Sequence, residues 1–264
     1  MNLTLSIQQI KEQLFKDGEV DEKLLTTLYE DERKGVQTLL KQYQSRKKKQ
    51  VMLEELHERM TVHENRLTME GYHYIAGIDE VGRGPLAGPV VTAAVILPPS
   101  FKLLGLTDSK KLTKQKRQNF ADIIKQEAIA YSVQMIHAAD IDRYNIYQAT
   151  KRAMVNAVNG LKRQPDYLLV DAMTLPTAIP QVSLIKGDET SLSIAAGSVL
   201  AKVARDEYME MVDEKYPGYY FSNHVGYGTK EHLEALKTLG VTPEHRRSFR
   251  PVKELVFENE EKGT

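Results

Sequence analysis

Acidic side chains lie at or just beyond the ends of predicted strands at three points in this sequence. Acids at such positions can meet, because the sites of open α/β sheets form beyond the carboxyl ends of the strands. Carboxylate oxygens are the ligands that Mg²⁺ and Mn²⁺ prefer. Acids gathered without a cation would repel one another and raise one another's pKa, and bound cations would remove that cost. The four acids are Asp79, Glu80, Asp171 and Asp188.

Two of these acids also have ordinary structural interpretations. Asp188 precedes a predicted helix, where Asp commonly caps the first turn, and Asp171 alone could be a turn residue. Asp166 and Asp206 are nearby in sequence, but Asp206 falls inside the predicted helix after Lys202, so we expect a structural ion pair there. The sequence contains no Cys and no HExxH spacing, so it indicates no competing metal site.

A glycine-rich turn follows the first acidic pair. Gly82 and Gly84 flank Arg83, and Gly88 comes soon after. Glycine lets backbone N–H groups approach a ligand closely, and the guanidinium of Arg is a rigid fork suited to phosphate. A tight turn with two solvated acids is the alternative, and the Gly-Arg-Gly sequence makes it the weaker interpretation.

Two further segments combine features that favour nucleic-acid binding. Basic patches bind phosphate backbones without sequence preference, and in the loop at 107–112 the better candidates are Ser109 and Lys110. Tyr227 lies between two glycines that cannot cover its ring, so we expect it to be exposed. Lys230 follows near a predicted helix start and is either a phosphate contact or a solvated side chain.

Strands and helices alternate from residue 71, which is typical of an α/β fold with a mixed sheet flanked by helices. Apolar runs bounded by turn signals predict the strands, and 3.6-residue periodicity with caps predicts the helices. The small residues of the longest helix predict close packing against the sheet. The predicted strands are 72–79, 89–97, 129–137, 167–170 and 181–185, and the predicted helices are 113–127, 139–160, 191–215 and 229–239.

Residues 1–70 contain no Pro and many Lys, Glu, Gln and Leu, which predicts a helical extension. Ser6 with Gln9 and Thr61 with Glu64 match the capping-box pattern, and Asp21 can cap a second helix. Asp17-Gly18 predicts a turn, and the acidic tail after Phe257 is expected to fray. The basic run at 46–49 is either a solvated helix face or an extra phosphate contact.

The composition limits the class of protein. The 264 residues are 41% hydrophobic, enough for a full core in one or two domains. The net charge is zero, so a nucleic-acid partner would have to be bound by local basic patches. The absence of Cys excludes disulfides and a Cys nucleophile and fits a reducing compartment. No signal peptide or membrane span is indicated, so we expect a cytoplasmic protein, and a monomer.

Several motifs together resemble one family. Residues 79–90, Asp-Glu-Val-Gly-Arg-Gly-Pro-Leu-Ala-Gly-Pro-Val, closely resemble the signature of the type 2 ribonucleases H, and of ribonuclease HII in particular. Asp-Ser-Lys-Lys-Leu at 108–112, Gly-Tyr-Gly-Thr at 226–229 and His-Arg-Arg-Ser-Phe at 245–249 are similar to further motifs of that family. The last motif is either a phosphate-facing element or a helix-packing cap.

The resemblance implies a ribonuclease H-like catalytic domain at 71–264, after a helical N-terminal extension at 1–70. It implies an endoribonuclease that hydrolyses RNA in RNA–DNA hybrids and incises 5′ of single ribonucleotides in duplex DNA, as ribonucleotide excision repair requires. The products would carry 5′-phosphate and 3′-hydroxyl ends. Catalysis would use two Mg²⁺ or Mn²⁺ ions roughly 4 Å apart, one activating a water and one stabilising the leaving 3′-oxygen.

The resemblance also assigns roles to residues. The four acids named above would bind the metals and carry out catalysis. A glycine turn can read a ribose 2′-hydroxyl, the group that separates RNA from DNA, through its backbone, and an aromatic ring can pack at the junction nucleotide. The expected substrate contacts are Gly82, Arg83, Gly84, Ser109, Lys110, Tyr227 and Lys230.

Two alternatives remain open. Ribonuclease HIII is the sister family, but it has a β-rich N-terminal domain, whereas residues 1–70 are predicted to be helical. A non-catalytic hybrid-binding module should have lost its metal-binding acids, whereas all four are present here.

Overall fold

The computed structural model describes residues 5–16 and 20–256. They fall into two units, of which the first ends at Leu56 and the second begins at His57. The predicted turn at Asp17-Gly18 and the acidic tail after Phe257 lie outside the described residues. None of the described helices combines the length and the apolarity that a membrane span requires.

The first unit is helical, as its composition predicts. Its helices are α1 (Ile7–Phe15), α2 (Glu22–Tyr29) and α3 (Lys34–Met60), the last of which continues into the second unit. Ser6 and Gln9 form the predicted capping box at the start of α1, and Asp21 caps α2 by accepting the N–H of Lys23. The apolar faces of the helices meet in a small core that includes Ile10, Leu14, Leu28, Val36 and Leu40.

The second unit is built on a mixed sheet of five strands within the described residues. The strands are β1 (Ile75–Val81), β2 (Val90–Ile96), β3 (Ala130–Ile136), β4 (Tyr167–Asp171) and β5 (Gln181–Leu184). Their order across the sheet is β3-β2-β1-β4-β5. β2 pairs antiparallel with β1 and with β3, whereas β4 pairs parallel with β1 and with β5. The predicted mixed sheet is therefore confirmed.

Helices cover the sheet, and one predicted helix is divided. They are α4 (Val62–Met69), α5 (Lys114–Glu127), α6 (Ala138–Tyr144), α7 (Ile146–Asn159), α8 (Leu192–Lys215), α9 (Phe221–His224) and α10 (Lys230–Leu239). The single helix predicted at 139–160 is wrong. Asn145 has a φ of +64°, which stops α6, and its side chain accepts the N–H of Gln148 to cap α7.

Close backbone packing between α8 and the centre of the sheet fixes the position of β1. A Cβ added to Gly77 would lie 2.1 Å from the carbonyl carbon of Ser193, so only glycine fits there. Gly197 of α8 also lies close to the strands, with its Cβ position 3.1 Å from the carbonyl oxygen of Ala93, which is tighter than an ordinary contact. The prediction of close packing by small residues is confirmed. The acids of β1 consequently rest on a rigid helix–sheet layer.

The predicted capping box of Thr61 and Glu64 is wrong, because the Glu64 carboxylate binds a different helix end. It accepts hydrogen bonds from the Ser191 hydroxyl at 2.6 Å and from the N–H of Ser193 at 3.0 Å, at the first turn of α8. The N–H groups of a first helical turn have no partner within their own helix and so attract a carboxylate. α4 is thereby joined to the helix that supports β1.

Candidate active site

Three acids converge where the parallel pairing of β1 and β4 ends. The last paired residues are Ile78 and Val170. Asp79 and Asp171 are therefore the next residues on two adjacent strands that run in the same direction. One carboxylate oxygen from each of Asp79, Glu80 and Asp171 lies within 4.8 Å of the others. The sequence predicted this convergence at the carboxyl ends of the strands.

The local backbone differs from the prediction in one respect. β1 does not end at Asp79, as the predicted strand at 72–79 does, but runs to Val81, because its other edge stays paired with β2 through Asp79–Ala93 and Glu80–Thr92. Beyond Ile78, only the edge of β1 that faces β4 is without strand pairing. The two acids are therefore held by a sheet rather than by a loop, which fixes them more firmly than a turn would.

Burial makes these carboxylates unfavourable as isolated anions. It raises the pKa of Asp79 well above its ordinary value, and the charges of Glu80 and Asp171 raise it further. Burial also raises the pKa of Glu80, against the opposing charge of Arg83, whose Nη1 lies 3.5 Å from Glu80 Oε1. Glu80 Oε2 is buried and has no hydrogen-bond partner among the described residues. A cation bound here would pair that oxygen and stabilise the ionised forms.

Backbone groups orient two of the acids. The N–H of Glu80 donates to Asp79 Oδ1 at 2.7 Å, and the N–H of Gly187 donates to Asp171 Oδ1 at 2.7 Å. Burial raises the pKa of Asp171 in spite of this second bond, which acts to lower it. These bonds restrict the carboxylates to one orientation before any ligand binds.

Asp188 is not part of the group within 4.8 Å, but it lies near enough to Asp171 for the two charges to interact. It is in the short 3₁₀ turn Gly187–Glu189, and burial, followed by the charges of Asp108 and Asp171, raises its pKa to about 6. The alternative that it caps the long helix is wrong, because Ser191 caps α8 by accepting the N–H of Ile194. Its role as a fourth metal ligand stays a prediction.

Two buried arginines, which the sequence analysis did not single out as site residues, hold the glycine turn. The Arg246 guanidinium donates to the carbonyl oxygens of Gly82, Arg83 and Gly88, and Arg205 donates to the carbonyl oxygen of Pro89 at 3.0 Å. Both side chains are fully buried. Burial lowers the pKa of Arg205 to about 10 and that of Arg246 to about 9, so both remain cationic near neutral pH.

A signal for Arg205 does exist in the sequence. Gly197, Ala201 and Arg205 follow one another at four-residue spacing on α8, so Arg205 continues the small-residue stripe that faces the sheet. A charged side chain on such a stripe must be paired in the interior. Arg246 lies in the motif at 245–249, and its burial supports packing over phosphate contact for that residue.

The predicted substrate residues outside the turn fall into different environments. Ser109 is buried, with its Oγ 2.9 Å from Ser198 Oγ, so its side chain is engaged inside the protein. For Lys110, burial acts to lower the pKa, but the charges of acids that include Asp108, Asp188 and Asp79 raise it overall. The Lys110 ammonium group therefore lies near enough to these carboxylates to interact with their charges.

Lys230 and Tyr227 contrast in position. Lys230 is solvated, with a side chain 90% exposed and its Nζ 3.8 Å from Glu234. Tyr227 is 47% exposed, as predicted, and its ring lies beside the glycine turn, because a Cβ added to Gly84 would lie 3.7 Å from Tyr227 Cε1. The structure thus brings the two glycine-rich segments together. The expected ion pair of Asp206 is confirmed, with Lys202 at 2.6 Å.

A mixed sheet of this strand order, with acids at its parallel junction, is a ribonuclease H-like fold. The solved ribonuclease H2 of Pyrococcus horikoshii has this fold, with a TM-score of 0.62 and 24% identity over 70% of this chain and 97% of that one. The family model described as ribonuclease HII matches residues 76–252, and the model of the ribonuclease HII N-terminal domain matches residues 6–68. The chain belongs to the ribonuclease HII family.

Curated relatives agree with this assignment. Ribonuclease HII of Shouchella clausii is 57% identical over 238 residues, which are 90% of this chain and 92% of that protein. Ribonuclease HII of Halalkalibacterium halodurans is 56% identical over 255 residues, 96% of this chain and 97% of that protein. The resemblance drawn from the motifs is confirmed, and the chain is an enzyme of the ribonuclease H type. The ribonuclease HIII and non-catalytic alternatives are therefore set aside.

Proposed function

We propose that this protein is an endoribonuclease that hydrolyses the RNA strand of RNA–DNA hybrids and incises 5′ of single ribonucleotides in duplex DNA. One observation carries the proposal: three carboxylates meet within 4.8 Å, beside a glycine turn and an exposed tyrosine. Phosphodiester hydrolysis needs groups that bind cations at the scissile phosphate, and selection of RNA needs a contact to the 2′-hydroxyl. Both requirements have candidates within this one region.

The donor set fits Mg²⁺ or Mn²⁺. All the donors are carboxylate oxygens, which these hard cations prefer, and the buried Glu80 Oε2 lacks a protein partner among the described residues. Asp79, Glu80 and Asp171 would hold the metal, with Asp188 as the fourth ligand. Two bound ions would lower the pKa of a water and stabilise the leaving 3′-oxygen.

The chain's own groups orient the reacting centre. The backbone bonds to Asp79 and Asp171 fix the two carboxylates before substrate arrives, which reduces the reorganisation needed at the transition state. Arg83 pairs with Glu80 at 3.5 Å and is exposed on its outer side, so its guanidinium is available to a substrate phosphate. Lys110 adds a second positive charge near the acids.

Selection of a ribonucleotide is assigned to the glycine turn and Tyr227. Backbone groups of Gly82, Arg83 and Gly84 would contact the 2′-hydroxyl, and the ring of Tyr227 would pack on the sugar or base of the junction nucleotide. Gly84 is exposed and lies beside Tyr227, which supports one combined contact surface. Ser109 and Lys230 are weaker candidates, because Ser109 is buried and Lys230 is solvated and pairs with Glu234.

We also propose that the functional division falls at residues 70 and 71, between a helical extension and the catalytic domain. The matched segments 6–68 and 76–252 support this division. The boundary between compact units falls earlier, at Leu56, because α4 and its Glu64 belong with α8. We expect a cytoplasmic monomer, and light scattering on the purified protein tests the second expectation.

Cleavage of defined substrates tests the proposed function. A DNA duplex with one ribonucleotide and a long RNA–DNA hybrid are incubated with Mg²⁺, Mn²⁺ or EDTA, using wild type, Asp79→Asn and Asp206→Asn. We expect metal-dependent cleavage of both substrates, on the 5′ side of the single ribonucleotide. Asp79→Asn should bind but not cleave, and Asp206→Asn should cleave. Cleavage of the hybrid alone, or full activity of Asp79→Asn, would contradict the proposal.

A further inference from the structure

Buried histidines lie beneath the loop that carries Tyr227, and the proposed reaction does not use them. His224, His232 and His245 are all buried, with His232 and His245 only 0% and 2% exposed. The ring of His232 stacks on that of His224, with centroids 4.5 Å apart, and its Nε2 is 3.1 Å from His245 Nε2. Histidine is only intermediate in its tendency to be buried, so three buried rings in mutual contact require a reason.

The partners of the two rings fix the positions of their protons. His245 Nδ1 accepts the backbone N–H of Thr242 at 3.0 Å, so the proton of a neutral His245 ring is on Nε2. His232 Nδ1 lies 2.9 Å from the carbonyl oxygen of Tyr227, which can only accept, so the His232 proton is on Nδ1. His245 therefore donates to His232, and His232 donates to Tyr227. Burial lowers the pKa of both rings, that of His245 to about 3, which keeps them neutral.

The loop that receives this hydrogen bond is strained and needs support. Val225 has a φ of +43°, a conformation that costs a β-branched residue free energy. Gly226 has a φ of +83°, and a Cβ there would lie 2.3 Å from the carbonyl oxygen of Ala87. Tyr227 follows directly. Its carbonyl oxygen accepts the N–H of Thr229 at 2.8 Å in addition to the bond from His232.

The same cluster is joined to the glycine turn. His245 forms a β-bridge with Ala87, and the next residue, Arg246, donates to the carbonyl oxygens of Gly82 and Arg83. Two consecutive residues thus hold both segments that are proposed to contact the ribonucleotide. A displacement of either segment would change the spacing between Gly84 and the Tyr227 ring.

We propose that the His232–His245 pair is a positioning device that sets the Tyr227 ring against the Gly82–Gly84 turn through a directed hydrogen-bond chain. The proposal rests on the proposed function for the assignment of Tyr227 as a substrate contact. Neither histidine touches substrate. Their effect on cleavage is exerted through the Tyr227 backbone.

A matched pair of variants separates positioning from general stability. In His232→Asn the amide can occupy the place of Nδ1 and keep the bond to Tyr227, whereas in His232→Gln it reaches the place of Nε2 and keeps only the contact with His245. Each variant breaks one of the two buried hydrogen bonds of His232, so both melting temperatures should fall; in His232→Gln the Tyr227 carbonyl oxygen keeps only the N–H of Thr229. We expect His232→Gln to lower kcat/KM on a single-ribonucleotide duplex about tenfold, the equivalent of one hydrogen bond. His232→Asn should retain most of the activity.

A double-mutant cycle with Tyr227→Ala then asks whether the histidine acts through Tyr227. If it does, His232→Gln has no further effect in the Tyr227→Ala background. Equal losses of kcat/KM in His232→Asn and His232→Gln would overturn the proposal. Additive losses for His232→Gln and Tyr227→Ala in the cycle would overturn it as well. If the wild type cleaves normally and Tyr227→Ala is fully active, the positioning proposal is overturned, whereas the proposed ribonuclease function stands.

The proton positions can be measured without any variant or substrate. Two-bond ¹⁵N–¹H correlation spectra of the wild-type protein distinguish the Nδ1–H and Nε2–H forms of each histidine. We expect Nδ1–H for His232 and Nε2–H for His245 at neutral pH. The opposite forms, or a charged ring, would overturn the chain even where cleavage is normal. If His232 carries its proton on Nδ1 and His245 on Nε2, but the protein cleaves no substrate, the result counts against the proposed function instead.

Discussion

Alanine at Gly82 and at Gly84 should have opposite consequences, although only Arg83 separates the two glycines. Gly82 has a φ of +90°, and its Cβ would lie 2.2 Å from Arg205 Nε and 2.7 Å from the carbonyl oxygen of Pro89. The backbone conformation costs an alanine about 1–2 kcal/mol, and displacing Arg205 from its buried acceptor costs about 1–3 kcal/mol more. Gly82→Ala should therefore lose about 2–5 kcal/mol of the free energy of unfolding.

Gly84→Ala should leave the fold unchanged. Gly84 is exposed and has no positive φ, and its Cβ would meet only Tyr227 Cε1, at the ordinary contact distance of 3.7 Å. Its stability should change by less than about 0.5 kcal/mol. The added methyl nevertheless covers backbone that is proposed to contact the ribose. The loss of one such hydrogen bond should lower kcat/KM at least about tenfold.

Thermal unfolding and single-ribonucleotide cleavage, measured on both variants, check this pair. For a domain of this size each 1 kcal/mol moves the Tm by about 2–4 °C, so the Tm of Gly82→Ala should fall by roughly 4–20 °C. Gly84→Ala should keep the wild-type Tm and lose activity. Full activity in Gly84→Ala would refute close backbone approach at this turn. An unchanged Tm in Gly82→Ala would refute the packing of Arg205 against it.

Further predictions concern the acids, the tyrosine and the buried arginine. Because the pKa of folded Asp188 is raised to about 6, ionising it disfavours the fold. In EDTA, Asp188→Asn should therefore melt higher than wild type above pH 6, and the difference should vanish below about pH 4; a constant difference contradicts this. Tyr227→Ala should lower cleavage but keep Mn²⁺ binding by calorimetry, and unchanged kinetics would remove Tyr227 from the site. Arg246→Met leaves three carbonyl oxygens unpaired and should cost about 3–5 kcal/mol in urea unfolding, whereas wild-type stability would contradict the bonds.

Local and periodic features of the sequence predicted much of the fold. The acids after apolar strands identified Asp79 and Asp171, because parallel strands bring their carboxyl ends to the same edge of the sheet. The capping box at Ser6 and the exposure of Tyr227 were likewise predictable from immediate neighbours. The small residues of α8 predicted its close packing on the sheet.

Features that depend on distant partners could not be predicted in this way. Glu64 matches a local capping pattern, but its carboxylate binds Ser191, 127 residues away in the chain. Arg246 became a structural residue only because the turn at Gly82 presents carbonyl oxygens to it. Asn145 ends a helix through a positive φ, which the helical periodicity on both sides conceals.

Calorimetric titration with Mn²⁺ tests the central claim most directly, because that claim is a divalent metal site formed by converging carboxylates. The proteins to compare are wild type, Asp171→Asn and the control Asp206→Asn, whose carboxylate pairs with Lys202 instead. We expect wild type and Asp206→Asn to bind Mn²⁺ alike and Asp171→Asn to bind it much more weakly. Unchanged Mn²⁺ affinity in Asp171→Asn would contradict the assignment of the metal site.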